Sequence, residues 1–177
     1  MAAFQVLTGE MVEAIRRLFD RYPTRQAVTL PALHVVNDRL RHVPPAAVVE
    51  IAELLGLAPA EVQDTLSFYG FFKQAAPHGE HRAWVCRSVS CWLRGGEELL
   101  AGLARRYGVQ PGETTADGRL TLEAAECLGA CELAPCLLEG RTLHGPLSLQ
   151  QAVALLESWG VRPPSPASEE GASHAAV

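Results

Sequence analysis

The sequence predicts an α+β or α/β protein in which an N-terminal helical bundle precedes a small layer of strands and helices. Three observations indicate this fold class. Apolar residues recur with helical spacing over residues 1–75, strand and helix patterns alternate over 76–160, and residues 161–177 combine three prolines with almost nothing to bury. We therefore predict two folded segments, 1–75 and 76–160, followed by a flexible tail at 161–177.

Four helices are predicted in the first segment. The first helix carries apolar residues on one face, at Met11, Ile15, Leu18 and Tyr22. Pro31 suits the first turn of a second helix, because the N–H that proline lacks would be unpaired there. Pro45 begins a third helix and Gly56 ends it as a C-terminal cap, after which Pro59 begins a fourth. These four helices predict a small bundle.

The second segment reads as strand, helix, strand, strand, helix. A short strand is predicted at 81–86, a helix at 92–107 and a second strand at 119–127. A hairpin follows around residues 139–141, and a capping box at 148–151 begins a helix that runs to 159. This order of elements resembles the outline of a thioredoxin fold.

The chain has five cysteines, and four of them form two spaced pairs. Cys86 and Cys91 give C-x4-C, and Cys127 and Cys131 give C-x3-C. If the two predicted strands run parallel, both cysteine loops open at the same edge of the sheet, where α/β folds bind ligands. Four thiolates from two loops suit two irons with two cysteines each, so the pattern favours a [2Fe–2S] cluster.

Two other kinds of cysteine site stay open. Structural zinc also takes four cysteines at spacings of two to four residues, which would make the second segment a zinc-stapled interaction module without redox function. A dithiol oxidoreductase usually shows C-x-x-C at a helix start, but residue 94 is Arg94 rather than cysteine. The fifth cysteine, Cys136, begins an apolar run and is expected in the core.

Two longer motifs around these cysteines carry a family resemblance. VCRSVSCWLRGG at 85–96 and ECLGACELAP at 126–135 resemble the thioredoxin-like [2Fe–2S] subunit of NADH:quinone oxidoreductase, the E subunit of bacteria. FYGFF at 68–72 and PHGEH at 77–81 resemble the passage of that family into its first strand. The gamma subunit of NAD-dependent formate dehydrogenase and the diaphorase subunit of bidirectional hydrogenase share these motifs. The resemblance extends over about residues 8–158.

The resemblance implies a site, a cofactor and partners. The ligands of one [2Fe–2S] cluster would be Cys86, Cys91, Cys127 and Cys131, on a thioredoxin-like ferredoxin domain behind a helical segment. The chain alone would be an electron carrier within an NADH dehydrogenase, most closely of the quinone-reducing type. Its partners would be the flavoprotein subunit that binds FMN and NADH and the larger iron–sulfur subunit of the complex. Cys136 and Glu139 replace the Val and Asn common in this family.

Charge and hydropathy exclude several other classes. The net charge of −5 gives no basic surface for nucleic acid. No apolar run approaches the roughly 20 residues of a membrane helix, and the first residues lack the pattern of a signal peptide. With its clustered thiols kept reduced, the chain is expected in the cytoplasm, or at the inner face of the cell membrane through its complex.

The aromatic residues at 68–72 are expected either in the core or at a partner interface.

Overall fold

The computed structural model describes residues 4–164 and shows two compact units, which meet in the sequence between His78 and Gly79. The first unit contains four helices: α1 (Gly9–Arg16), α2 (Thr29–Leu40), α3 (Pro45–Leu55) and α4 (Pro59–Phe68). The second unit contains four strands: β1 (His81–Cys86), β2 (Leu120–Ala125), β3 (Leu137–Glu139) and β4 (Thr142–His144). It also contains three helices: α5 (Val89–Leu93), α6 (Gly96–Tyr107) and α7 (Leu149–Ser158). The predicted fold class is confirmed.

Proline and glycine set the helix boundaries in the first unit as the sequence predicts. Pro45 and Pro59 are the first residues of α3 and α4. Gly56 ends α3 in the left-handed conformation, with φ of 68°, which a residue without Cβ adopts at little cost. Pro31 lies in the first turn of α2, two residues after its start. Local steric rules therefore account for most of these boundaries.

The predicted face of the first helix is wrong at its C-terminal end. Met11 and Ile15 are buried in α1, but the helix ends at Arg16. Leu18 packs against the core from the segment that follows, and Tyr22 is exposed. The apolar core of the first unit instead collects residues from all four helices, including Ile15, Leu33, Ile51 and Leu66.

The sheet of the second unit has the strand order β2-β1-β3-β4. β1 and β2 are parallel and in register from His81 opposite Leu120 to Cys86 opposite Ala125, so the condition under which both cysteine loops open at one edge of the sheet is met. β3 runs antiparallel to β1, and β3 and β4 form the predicted hairpin. Because β1 and β2 end side by side, the segments that follow them leave the same edge of the sheet.

The helices of the second unit differ from the prediction at one point. The single helix expected at 92–107 is two helices, because Gly95 adopts a φ of 88° between α5 and α6. The capping box before α7 is confirmed: Ser148 Oγ accepts from the N–H of Gln151, and Gln151 Oε1 accepts from the N–H of Ser148. The core lies between one face of the sheet and α6 and α7, around Val85, Leu103 and Leu156.

The C-terminal end of the second unit continues beyond α7. Val161, in the segment predicted as a tail, is fully buried, and its N–H donates to the carbonyl of Leu156. The remainder of the predicted tail, residues 165–177, lies outside the described residues. Among residues 4–164, every helix is too short or too polar to span a membrane.

Candidate metal centre

The first cysteine pair lies where β1 passes into α5. Cys86 is the last residue of β1 and Cys91 lies in α5, and both side chains are buried. Gly96 closes the backbone over this pair: a Cβ there would lie 2.8 Å from the carbonyl oxygen of Cys86 and 2.9 Å from that of Cys91. Only glycine allows so close an approach without a shift of the backbone.

The second cysteine pair lies in the loop after β2. Cys127 follows the end of β2 by two residues, and Cys131 begins a short 3-10 helix that ends at Leu133. Both side chains are exposed, in contrast to the first pair. The two loops start side by side, because the N–H of Arg87 donates to the carbonyl of Ala125 over 2.9 Å.

The two loops pack against each other through a small apolar cluster. Its buried members come from both loops and from the start of β3: Cys86, Cys91, Ala130, Ala134 and Cys136. The sequence prediction that both loops meet at one edge of the sheet is thereby met in the structure.

Three sulfur atoms form one close group, and it is not the predicted set. The Sγ atoms of Cys86, Cys91 and Cys136 all lie within 4.8 Å of one another, and those of Cys91 and Cys136 are 3.8 Å apart. Within the described part of the chain, Cys127 and Cys131 do not belong to this group. Cys136 is buried, as its apolar neighbours predict, but it is also a member of the candidate metal centre.

Strand pairing explains why Cys136 joins the group. In the antiparallel ladder of β1 and β3, Val85 lies opposite Leu137, and the N–H of Cys86 donates to the carbonyl of Cys136 over 3.0 Å. Continuing that register by one residue puts Cys136 opposite Cys86, with both side chains on the same face of the sheet. The role of Cys136 can therefore be read from the sequence only once the pairing of β3 with β1 is known.

The protein environment separates the three buried thiols in acidity. Burial raises the pKa of Cys86, but backbone hydrogen bonds from Ser88 and Leu128, with further ones from the thiols of Cys91 and Cys136, outweigh it and lower this pKa below its usual value. Burial, together with the neighbouring Cys86, raises the pKa of Cys91. Burial likewise raises the pKa of Cys136 to about 12, which leaves its thiol protonated. Cys86 is therefore the thiol of this group that forms a thiolate most readily.

The donor set fits a [2Fe–2S] cluster. Thiolates are soft ligands that select iron–sulfur clusters or zinc, and two irons need two pairs of thiolates, which the adjacent loops supply. A backbone N–H group already donates to sulfur, from Gly129 to Cys127 over 3.4 Å. Such hydrogen bonds stabilise negative charge on cluster sulfurs. The three-sulfur group also suits a single soft ion.

The fold and the site together define a small iron–sulfur protein with a helical N-terminal segment. The sequence profile of the family "Thioredoxin-like [2Fe-2S] ferredoxin" matches residues 15–160. The chain belongs to that family, and the resemblance carried by the motifs is confirmed. Because the family is defined by its cluster, the cofactor of the chain is [2Fe–2S].

Three relatives, all components of NADH-quinone oxidoreductases, show how far the similarity extends. The chain is 40% identical over 149 residues to the E 2 subunit of Rhizobium meliloti, across 84% of this chain and 88% of that protein. It is 38% identical over 125 residues to the subunit numbered 2 of Thermus thermophilus, across 70% of this chain and 68% of that protein. The E subunit of Escherichia coli is 33% identical over 158 residues, across 89% of this chain and 93% of that protein.

A solved structure resembles the chain over most of its length. The NAD+-reducing [NiFe]-hydrogenase in the H2-reduced state superimposes with a TM-score of 0.65 at 28% identity. The match covers 77% of this chain but 22% of the hydrogenase chain, so the matched part is about a fifth of that chain.

The aromatic group at the end of α4 is divided between core and surface. Phe72 is buried and packs against His34 of α2, with ring centroids 5.0 Å apart. Phe68 is 80% exposed, and Tyr69 and Phe71 are partly exposed. The core interpretation is confirmed for Phe72, and partner docking by the exposed residues stays a prediction.

Proposed function

We propose that this chain is the electron-transfer subunit of an NADH-oxidising complex of the NADH:quinone oxidoreductase type. In this proposal Cys86, Cys91, Cys127 and Cys131 hold one [2Fe–2S] cluster between the two loops. The observation that carries the proposal is the parallel, in-register pairing of β1 and β2, which starts both cysteine loops at one edge of the sheet. The relatives named as subunits of NADH-quinone oxidoreductase support the kind of complex.

The residues around the cysteines determine what the site does. A [2Fe–2S] cluster held by four thiolates takes up and releases one electron at a time when bound. The backbone N–H of Gly129 that donates to Cys127 offsets the negative charge of that thiolate and favours the reduced state. The buried first pair excludes water from one side, whereas exposed Cys127 and Cys131 face the direction from which a partner can approach.

The surface of α5 supports a partner next to the site. Val89, Trp92 and Leu93 are 70%, 58% and 70% exposed, and they flank the buried ligand Cys91 on the same short helix. Exposed apolar side chains that lie together are typical of protein interfaces. In this proposal they contact the flavoprotein subunit, which supplies FMN and binds NADH, and the larger iron–sulfur subunit completes the complex. The complex would hold the chain on the cytoplasmic side of the membrane.

A second candidate is a diaphorase subunit in a complex with a different electron donor or acceptor. The likeness to the NAD+-reducing [NiFe]-hydrogenase favours it specifically, and the gamma subunit of NAD-dependent formate dehydrogenase is the related alternative. Isolating the native complex through a tag on this chain separates these candidates. A nickel-containing or formate-oxidising partner would replace the quinone-reducing assignment.

The first experiment is metal analysis of the full chain purified without oxygen. About two irons and two acid-labile sulfides per chain, with a spin-half electron paramagnetic resonance signal after dithionite, are expected for a [2Fe–2S] carrier. A chain that takes up neither iron nor sulfide, even after reconstitution with both, would contradict the proposal and leave a zinc-stapled interaction module.

A further inference from the structure

We propose that Cys86, Cys91 and Cys136 form a second metal-binding mode of this chain, a three-thiolate site for a single soft divalent ion such as Zn2+. The three sulfurs belong to different elements: the end of β1, α5 and the residue before β3. They come together without Cys127 and Cys131, which are the other half of the proposed [2Fe–2S] site. The site is thus distinct in its ligands but overlaps the cluster site at Cys86 and Cys91.

The spacing of the sulfurs matches a shared ion. Thiolates that bind one tetrahedral ion at a metal–sulfur distance of about 2.3 Å are about 3.8 Å from each other. Cys91 and Cys136 have this separation, and Cys86 completes a triangle with no side longer than 4.8 Å. Small side-chain rotations would bring all three sulfurs within bonding distance of one ion.

The backbone fixes these positions before any ion arrives. The N–H of Cys86 donates to the carbonyl of Cys136 over 3.0 Å, and the thiols of Cys91 and Cys136 lie 3.8 Å apart. Gly145 leaves the room that Cys136 occupies, because a Cβ there would lie 3.0 Å from the Cβ of Cys136. All three side chains are at most 3% exposed, and their sulfur donors disfavour hard ions that prefer oxygen ligands.

The chemistry of this mode is ligand binding without redox. As the ion binds, each thiol loses its proton to solvent and forms one metal–sulfur bond. Because Cys86 and Cys91 serve in both modes, a chain that holds the single ion cannot hold the cluster through the same cysteines. This competition rests on the proposed function, whereas the binding of the single ion does not.

Cobalt titration of the cluster-free full chain tests the proposal. Co2+ reports thiolate ligands through charge-transfer absorption, and Zn2+ then displaces it. We expect one Co2+ per chain, at least tenfold weaker binding and less charge-transfer absorption in Cys136→Ala, and unchanged binding in Cys127→Ser and Cys131→Ser. Equal affinity in wild type and Cys136→Ala, or an equal loss in Cys127→Ser, would overturn the proposal.

A measurement on the wild type removes the dependence on variant folding. X-ray absorption of the Zn2+-loaded chain counts its sulfur neighbours: three are expected, and four or two would overturn the three-thiolate site. Iron and sulfide uptake by Cys136→Ala then tests the proposed function separately. Normal uptake with weakened cobalt binding supports both proposals, whereas lost uptake contradicts the ligand set of the cluster and not the single-ion site.

Discussion

Arg82 of β1 and Glu123 of β2 form a buried ion pair across the parallel strands. Two nitrogens of Arg82, Nε and Nη2, donate to the same oxygen, Glu123 Oε1, over 3.2 Å and 2.9 Å. The two side chains are 5% and 10% exposed. Burial lowers the pKa of Arg82, while the hydrogen bond and charge of Glu123 oppose that shift. Neither charge is well solvated, so each depends on the other.

Removing one member of this pair should destabilise the second unit strongly. Glu123→Ala leaves the Arg82 guanidinium buried without its main counter-ion, and we expect a loss of about 3 kcal/mol in the free energy of unfolding. Denaturant unfolding followed by circular dichroism measures it. The double variant Arg82→Met with Glu123→Leu should recover most of the loss. A single variant as stable as the wild type would show that the pair does not stabilise the fold.

Cys127 and Cys131 should be required for cluster binding, whereas Cys136 should not. Cys127→Ser and Cys131→Ser should lose most iron and sulfide, because serine replaces a thiolate ligand in an exposed loop. Cys136→Ser should keep both, since its thiol is not among the four proposed ligands. Iron and sulfide analysis with electron paramagnetic resonance checks all three. A Cys136→Ser chain without iron would mean that Cys136 is a cluster ligand.

Gly96→Ala should disturb the cluster site through the backbone. The added Cβ would meet the carbonyl oxygens of Cys86 and Cys91 at 2.8 Å and 2.9 Å, which forces a shift of both residues. We expect incomplete iron uptake and a broadened paramagnetic signal. Gly9→Ala, where nothing lies within 4 Å of the new Cβ, is the matched control and should behave as the wild type. Full iron uptake in Gly96→Ala would show that a Cβ at this position does not displace Cys86 and Cys91.

Much of the fold could be predicted from local sequence signals. Pro45 and Pro59 mark helix starts because the fixed φ of proline suits the first turn, and Gly56 marks a helix end because glycine adopts a left-handed φ at little cost. The short strand predicted at 81–86 matches both ends of β1. The break between α5 and α6 does not follow from the sequence, because glycine within a helical pattern is usually tolerated and only tertiary packing decides its conformation.

The candidate site was only partly predictable for a related reason. The two cysteines of each pair are close in sequence, so the spacing within each pair indicates a metal site without any knowledge of the fold. Cys136 enters the group only because β3 is the antiparallel neighbour of β1. The Arg82–Glu123 pair likewise depends on the register of two strands that are far apart in the sequence. Neither relationship leaves a periodic pattern along the chain.

Substitutions among the aromatic residues at 68–72 should affect either the stability of the first unit or the assembly of the complex, depending on the residue. Phe72→Ser should destabilise the first unit by about 3 kcal/mol, because it removes a buried ring. Phe68→Ser should leave stability unchanged, since the ring is 80% exposed, but weaken assembly with the flavoprotein subunit. Thermal unfolding and co-purification of the complex measure the two effects. Normal co-purification of Phe68→Ser would remove this ring from the interface.

The exposed surface of α5 gives the sharpest test of partner docking. Val89 and Leu93 are each 70% exposed beside the proposed ligand Cys91, and replacing both with serine should weaken binding of the co-expressed flavoprotein subunit at least tenfold. Iron content and the paramagnetic signal should not change, because neither side chain is a ligand. Leu143→Ser, which alters a partly exposed leucine on β4, is the control and should bind normally. If the α5 variant binds as tightly as this control, the flavoprotein approaches the cluster from another side.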